Sequence, residues 1–318
     1  SYLMRLSLHL PTMTDNLSNI HLSKDEFQEY GYRLVDWLAE YFDNVGQYEV
    51  LPSMEPGDIR NMLPVSAPER AESMDEIIAD LDRVVMPGMA HWQHPGWYAF
   101  FPSGASPVSA LGEFVAAGLA TQGMMWSTAP AATEIENTVL DWLVDLLGLP
   151  SSWRLDEGPG GGVIQMSASD STHLSLAVAR YQFELSGADA NSLVAYGSSQ
   201  AHSSIEKGAR IAGFKHIRSV PVTQTFGIDA DAFAQIVRDD IDSGLIPAWV
   251  CSAVGTTNTT AMDPIRAIAS IATKNGMWHH ADAAYAGSAM ICPEFRELQD
   301  GVEPVSYTHL RAHETVYN

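Results

Sequence analysis

Residues 248–285 read AWVCSAVGTTNTTAMDPIRAIASIATKNGMWHHADAAY, and the order of apolar and polar residues in this stretch determines the architecture. Residues 248–254 form a short apolar run, which predicts a buried strand. Residues 264–275 have helical spacing and end at Gly276, a residue type that commonly stops helices. Residues 277–285 predict a second strand. A strand, a helix and a strand joined by short links are the unit from which parallel sheets are built.

The same alternation continues upstream of this stretch. Strands are predicted at residues 163–166, 193–196 and 217–222. Helices are predicted at residues 135–146, 172–185, 203–212 and 230–243. The fold class is therefore α/β, with a mostly parallel sheet flanked by helices.

The N-terminal part of the chain is predicted to be helical. Ser23 with Glu26 and Ser73 with Glu76 are capping-box pairs, in which each side chain satisfies a backbone N–H of the first helical turn. Apolar residues follow each box at steps of three and four. Two short helices cannot bury such stripes alone, so we expect them to pack on a larger body or a second subunit.

Composition narrows the class of protein. Among 318 residues there are 17 Lys and Arg against 39 Asp and Glu, which gives a net charge of −22. Such an acidic chain repels nucleic acid and anionic lipid, so neither is an expected partner. No apolar run approaches the length of a membrane span. The two cysteines, Cys251 and Cys292, suggest no disulfide scaffold, and we expect a soluble cytoplasmic protein.

Polar residues cluster directly after the predicted strands. In open parallel sheets, ligands bind beyond the carboxyl ends of the strands. The residues in these places are Ser167, Ser169, Asp170, Ser171, Gln200, His202, Ser203, Ser204, Thr256, Thr257, Asn258 and Asp282. Ser167 and its neighbours also begin a helix, where free N–H groups favour a phosphate, although a serine-rich N-cap is common without one.

Several other motifs have less specific interpretations. The glycine-rich run at 158–162 precedes a strand, whereas the dinucleotide fingerprint follows one, so a flexible loop is expected. His91 and His94, or His279 and His280, lack the H-E-x-x-H spacing of a zinc site, and no metal is predicted. No G-x-S-x-G turn is present to support a serine hydrolase.

Asp282 has the most specific chemistry. A carboxylate inside a core strand is costly unless a cation pairs with it. A protonated pyridine nitrogen is such a cation, and this pairing tunes pyridoxal phosphate (PLP) as an electron sink. His202 after a neighbouring strand suits stacking on the ring. From this chemistry alone, an ordinary strand-end aspartate facing solvent remains an equal alternative.

Four segments carry a resemblance to a known family. Residues 94–103 (HPGWYAFFPS), 162–169 (GVIQMSAS), 200–204 (QAHSS) and 282–287 (DAAYAG) resemble the group II PLP-dependent decarboxylases. The likeness is greatest to aromatic-L-amino-acid and tyrosine decarboxylases and runs from about residue 22 to 303. It implies the fold-type I, aspartate-aminotransferase-like architecture and a homodimer whose N-terminal helices pack across the partner.

The resemblance also implies roles for individual residues. Asp282 would pair with the pyridine nitrogen and His202 would stack on the ring, and these two with Thr257 are the implied catalytic residues. The implied cofactor-binding set is Ala168, Ser169, His202, Thr257, Asp282 and Ala284. The implied substrate-binding set is Phe100, Phe101, Ser103 and Trp126. Phe100, Phe101 and Trp126 would form an aromatic wall supplied in part by the other subunit, and Ser103 would lie near the cofactor and the substrate carboxylate.

The C-terminal end departs from the family pattern. The family lysine that binds PLP covalently is expected near position 314, where Glu314 stands. The lysines present are Lys24, Lys207, Lys215 and Lys274, and none matches the motif. Residues 304–318 resemble translated vector sequence, so we expect truncation before the lysine and loss of a small C-terminal domain. The expected organisation is a helical segment at 1–85, an incomplete PLP-binding domain at 86–303 and a non-family tail at 304–318.

The implied activity is decarboxylation of an aromatic L-amino acid to the amine and CO₂, a carboxy-lyase reaction. Alternatives within the fold are decarboxylation of an acidic amino acid such as glutamate and aromatic aldehyde synthesis. An alternative of another class is a non-catalytic PLP-binding or dimerisation fragment, since the chain as given lacks the lysine.

Overall fold

A computed structural model describes residues 21–100, 104–158 and 160–310 of the chain. Contacts divide the chain into two compact units, one up to Phe114 and one from Val115 to Ala312. The boundaries of the predicted functional domains, 1–85, 86–303 and 304–318, stay predictions.

The first unit contains short helices. They are α1 (Lys24–Asn44), α2 (Asp58–Met62), α3 (Met74–Asp80) and the start of α4 (Pro107–Leu119). Both predicted capping boxes are confirmed, since Ser23 and Glu26 bond reciprocally before α1 and Ser73 and Glu76 do so before α3. Single turns follow at Val45–Gln47, Leu81–Val85 and Met86–Gly88. No residue of α1 is buried; in its apolar stripe Phe27 and Leu38 are exposed, whereas Leu34, Trp37 and Tyr41 are half-buried.

The second unit is the predicted α/β body. Its helices are the end of α4, α5 (Pro130–Leu147), α6 (Ala168–Leu185), α7 (Ser204–Ile211), α8 (Ala230–Asp242) and α9 (Ile265–Lys274). Its strands are β1 (Leu193–Ser198), β2 (His216–Val220), β3 (Ile246–Ala253), β4 (Trp278–Ala283) and β5 (Tyr307–Leu310). Short turns lie at Ser151–Trp153, Ala190–Ser192, Gly287–Ile291 and Pro293–Gln299. The strands pair in parallel in the order β2-β1-β3-β4-β5, which confirms the fold class.

Alternating side chains of the strands supply two cores, one on each face of the sheet. On β1, Leu193 and Ala195 pack with α6 and α7, whereas Val194 and Tyr196 pack with α8 and α9. Both kinds of position are apolar because a parallel sheet covered on both faces has no solvent-facing side. Within the described ranges, no helix combines the length and apolar character needed to cross a membrane.

Two features of the second unit differ from the sequence expectations. The predicted strand at 163–166 is wrong: these residues form no strand, and Val163, Ile164 and Met166 are exposed. The backbone N–H of Ile164 instead donates to Oε1 of Glu136 at 2.7 Å. An apolar run becomes a strand only where another strand pairs with it, and the local pattern does not report pairing. The edge strand β5 was not predicted.

The hydroxyl group of Ser175 links α6 to strands β3 and β4 of the sheet by hydrogen bonds. Oγ of Ser175 accepts from the indole N–H of Trp249 on β3 and from that of Trp278 on β4, both at 2.9 Å. Ser175 and Trp249 are buried, and the two tryptophans are paired in register. The start of α6 is thereby set against the same strands that end at the candidate site.

Replacing Ser175 with alanine is expected to lower the free energy of unfolding by about 2 kcal/mol, because two indole N–H groups lose their acceptor in a dry environment. Urea denaturation measures this loss. Ser270→Ala is the control, since Ser270 is also a helical serine but has an exposed side chain. Equal free energies of unfolding for the two variants would show that the two hydrogen bonds to Ser175 do not contribute to stability.

Candidate active site

The carboxyl ends of three adjacent strands bring the predicted site residues to one edge of the sheet. Asp282 is the penultimate residue of β4 and is in register with Ala253, the last residue of β3. Thr257 follows β3 by four residues, and His202 follows β1 by four residues. Since β1, β3 and β4 are neighbours and run in parallel, these three side chains share the edge at which such sheets bind ligands.

Asp282 is held as an ionised carboxylate. Its Oδ1 accepts from the backbone N–H of Ala284 at 3.1 Å and lies 2.8 Å from Nε2 of His309. Burial raises the pKa of Asp282, but His309, His280 and the Ala284 N–H together outweigh it and lower the pKa to about 2. The side chain keeps 14% of its exposed area, so it is open to the edge of the sheet.

His309 on β5 is a neighbour of Asp282 that sequence reasoning missed. It is buried and in register with Asp282 on the neighbouring strand. Its Nδ1 lies 2.9 Å from Nε2 of His280, whose pKa burial lowers well below the ordinary histidine value. The signal that the sequence offered was a histidine at strand-like spacing. That signal is too weak to predict a contact.

His202 is presented to solvent by the turn between β1 and α7. Its Nδ1 accepts from the backbone N–H of Ser204 at 3.2 Å and lies 2.9 Å from Oγ of Ser204. An Nδ1 that accepts a backbone N–H carries no proton itself, so the hydrogen of the neutral ring is on Nε2. Ser204 therefore fixes both the orientation and the tautomer of an exposed imidazole.

Thr257 projects from a loop that its neighbours hold rigidly. Gly255 has a φ of +89°, and a Cβ added there would meet the Tyr285 ring at 2.3 Å, so only glycine fits the turn. Thr256 is buried, and its Oγ1 accepts from the Ala261 N–H at 3.1 Å. The side chain of Thr257 is left exposed.

The start of α6 offers donors to an anion. Ser167 is the N-cap, and its Oγ accepts from the Asp170 N–H at 3.2 Å. The N–H groups of Ala168 and Ser169 come earlier in the same turn, where a helix has no internal acceptor for them. The dipole of this 18-residue helix adds positive potential, while the Asp170 carboxylate subtracts from it.

The remaining predicted residues have the following places. Ala284 is half-buried and donates to Asp282. Trp126 is exposed, and its indole N–H donates to Oε1 of Glu134 at 2.9 Å. Phe100 belongs to the first unit, where it is exposed and stacks on Trp92 at 5.9 Å between ring centres. Phe101 and Ser103 lie outside the described residues.

The donor set suits one particular type of ligand. An ionised carboxylate that is buried but still reachable favours a protonated ring nitrogen. N–H groups at a helix start favour a phosphate. An exposed imidazole with fixed orientation offers a flat face for stacking. The residues present therefore fit a planar, cationic heterocycle that carries a phosphate.

Comparison with known proteins gives a consistent family. The "Pyridoxal-dependent decarboxylase conserved domain" matches residues 56–315. The chain is 42% identical to aromatic-L-amino-acid decarboxylase of Catharanthus roseus over 92% of the chain and 59% of that protein. It is 40% identical to phenylacetaldehyde synthase of Arabidopsis thaliana over 92% of the chain and 61% of that protein.

A solved structure of a similar protein has the same fold as this chain. The structure of Oryza sativa TDC with PLP and tryptamine superposes with a TM-score of 0.88 at 39% identity, covering 92% of this chain and 61% of that one. The chain thus spans about three fifths of the length of the proteins that it matches.

Acid titration is expected to reveal the ionised state of Asp282. Its folded pKa of about 2 lies below the ordinary 3.8, so the unfolded chain binds a proton first as the pH falls. The stabilisation, about 2 kcal/mol, is present above pH 4 and is lost toward pH 2. Asp282→Asn should lack this loss in urea denaturation across that range. The surface variant Asp242→Asn should keep this loss of stability. If the free energy of unfolding fell equally with pH in all three proteins, Asp282 would not be the ionised group responsible.

Proposed function

Because this chain belongs to the pyridoxal-dependent decarboxylase family, we propose that the protein to which it belongs removes the α-carboxylate of an aromatic L-amino acid as CO₂, with PLP as cofactor. The observation that carries this proposal is the ionised Asp282 at the sheet edge shared with His202 and Thr257. The named relatives that act on aromatic compounds support the substrate class.

The residues of this chain would divide the work of holding the cofactor. Asp282 would keep a proton on the ring nitrogen, which makes the ring electron-poor. His202 would stack on the ring, and Ala284 would lie against it. The N–H groups of Ala168 and Ser169 would bind the phosphate. Bound PLP supplies the electron sink into which the bond to the departing carboxylate can release its electron pair.

The substrate would be oriented by the residues that the family resemblance assigns to it. The hydroxyl of Thr257, on its rigid loop, would donate to the substrate carboxylate, and Ser103 would assist it. Phe100, Phe101 and Trp126 would provide an aromatic wall for the side chain. An aromatic wall excludes water and gives an acidic substrate such as glutamate no cationic partner, which favours the aromatic class.

A second candidate activity is aromatic aldehyde synthesis. The similarity to phenylacetaldehyde synthase favours it, since that relative is nearly as similar as the decarboxylase. Both activities would use the cofactor site in the same way. A non-catalytic PLP-binding or dimerisation fragment is the third candidate and applies to the 318-residue chain itself.

The assembly and location of the protein are also proposals. The incompletely buried apolar stripe of α1 supports a homodimer, because a second subunit would cover its exposed members, Phe27 and Leu38. A cytoplasmic location agrees with the acidic composition and the buried free thiol of Cys251. Small-molecule amino acids would be its substrates.

PLP titration of the chain tests the cofactor site. We expect Asp282→Asn to weaken PLP binding at least about tenfold, because an amide cannot neutralise a protonated ring nitrogen. Absorbance of the bound cofactor measures the dissociation constant. Asp242→Asn is the control and should bind as the wild type does. Equal affinity of both variants for PLP would show that Asp282 is not part of the cofactor site.

The absent lysine gives a separate prediction for the 318-residue chain. Borohydride reduction with PLP, followed by mass spectrometry, is expected to trap no adduct at an active-site lysine, because Glu314 stands at the expected position. Release of CO₂ from tyrosine, dopa, tryptophan, phenylalanine or histidine should be negligible. Steady CO₂ release by the purified chain would contradict this prediction and support full activity.

A further inference from the structure

A second buried carboxylate lies against the end of β3, and no step of the proposed function uses it. Asp263 is only 7% exposed. Its Oδ2 accepts from the backbone N–H of Ala253, the last residue of β3, and its Oδ1 accepts from that of Ile228, both at 2.7 Å. Burial raises the pKa of Asp263, while the two N–H groups oppose that rise. An apolar side chain would be less costly to bury but could not hold two N–H groups at once.

Asp263 closes the loop that carries Thr257. Its N–H donates to the carbonyl of Ala253 at 3.0 Å while its side chain accepts from the Ala253 N–H, so Asp263 binds both backbone groups of that residue. Val254 and Met262, the next residues along the two arms of the loop, form an antiparallel bridge. The loop is therefore a short hairpin, the Thr257 hairpin, which Asp263 closes at its base.

The base of the Thr257 hairpin is also bonded to the strand that carries Asp282. The Val254 N–H donates to the carbonyl of Asp282 at 2.8 Å, and the Val254 carbonyl accepts from the Ala286 N–H at 3.1 Å. Further along the hairpin, the Thr256 N–H donates to the carbonyl of Ala261 at 2.9 Å. The hydrogen bonds at the base thus determine where Thr257 lies relative to Asp282.

The loop after β2 immobilises Asp263 itself. Ile228, whose N–H is bound to Oδ1, has a buried side chain in the core between the sheet and α8. Gly227 packs so closely that an added Cβ would lie 2.6 Å from the carbonyl oxygen of Met262. Because Ile228 is fixed in this way, the carboxylate cannot turn away from Ala253 without breaking a buried hydrogen bond.

We propose that Asp263 is a positioning residue for Thr257: its carboxylate closes the base of the Thr257 hairpin and so holds Thr257 in a fixed place relative to Asp282. The benefit to the substrate rests on the proposed function, in which the Thr257 hydroxyl donates to the substrate carboxylate. The closure of the hairpin needs no ligand. Loss of Asp263 should therefore weaken the binding of a ligand that carries this carboxylate and should not affect a ligand that lacks it.

Asp240 on α8 provides a matched control. It is also a buried aspartate, and its carboxylate accepts from the Tyr196 hydroxyl at 2.9 Å and from Nη2 of Arg218 at 2.7 Å. Neither partner belongs to the Thr257 hairpin. Asp263→Asn and Asp240→Asn make the same chemical change at a buried site, and an asparagine at 263 keeps the volume and one acceptor oxygen. Any general effect of losing a buried carboxylate should appear in both variants.

Hydrogen exchange of the chain without cofactor tests the closure of the hairpin. The exchange rate of the Thr256 amide is measured by ¹⁵N NMR relative to that of the Trp249 amide, which lies in the core of β3 and reports opening of the whole sheet. In Asp263→Asn this ratio should rise at least about tenfold, because one N–H at the base faces a donor instead of an acceptor. Asp240→Asn should keep the wild-type ratio. An unchanged ratio in Asp263→Asn, or an equal rise in Asp240→Asn, would overturn the positioning role.

The binding of two stable cofactor adducts tests the effect on the substrate. Phosphopyridoxyl-L-tyrosine and phosphopyridoxyl-tyramine differ only in the carboxylate, and we expect the wild type to bind the first about tenfold more tightly. In Asp263→Asn, in Thr257→Val and in the double variant, this preference should fall to about threefold or less. Asp240→Asn should keep it, and the affinity for the tyramine adduct should be the same in every variant.

The outcomes separate this inference from the proposed function. A preference for the tyrosine adduct that survives in Asp263→Asn, or an equal loss of affinity for both adducts, would overturn the positioning role. A wild type that binds both adducts equally, or neither, while the Thr256 exchange still rises in Asp263→Asn, would instead overturn the proposed function of this site. The role of Asp263 toward the substrate would then be lost with it.

Discussion

The burial of an ionised carboxylate at the end of β4 is the constraint on which the rest of this structure depends. Taken out of water alone, Asp282 would become protonated, as an isolated buried carboxylate does. The fold prevents this by placing a backbone N–H from Ala284 and an imidazole from His309 against one oxygen. The opposing effects leave the group charged. A charged carboxylate that stays open at a sheet edge is suited to bind a cationic ring.

The parallel order of the strands converts this local charge into a site. Crossover helices between β1, β3 and β4 return every strand in the same direction, so the loops after them converge. His202 and Thr257 reach the edge for this reason alone, although they are distant in sequence. Ser175 also contributes, because it accepts hydrogen bonds from two indole N–H groups on β3 and β4 and so holds α6 against the sheet. Asp282 lies on β4, the second of these strands. The start of α6, where we propose that the phosphate binds, is thus anchored to the same sheet.

The sequence predicts much of this arrangement because much of it is local. Apolar runs and capping residues are sufficient for the four strands β1 to β4 and for the helices between them, and strand ends locate His202, Thr257 and Asp282. Pairing between strands is not local, which is why the run at 163–166 was misassigned and β5 was missed. The partner of Asp282 could not be predicted either. It depends on the register of His309 against β4, and that register is set by tertiary packing rather than by spacing.

The proposed function depends most directly on one interaction, in which Asp282 binds the ring nitrogen of PLP and keeps it protonated. The ¹⁵N NMR resonance of PLP labelled at its ring nitrogen, measured on the cofactor bound to this chain, tests the claim directly. A protonated pyridine nitrogen is predicted for the wild type at neutral pH, with a return to the unprotonated position in Asp282→Asn. An unprotonated resonance in the wild type would contradict the claim.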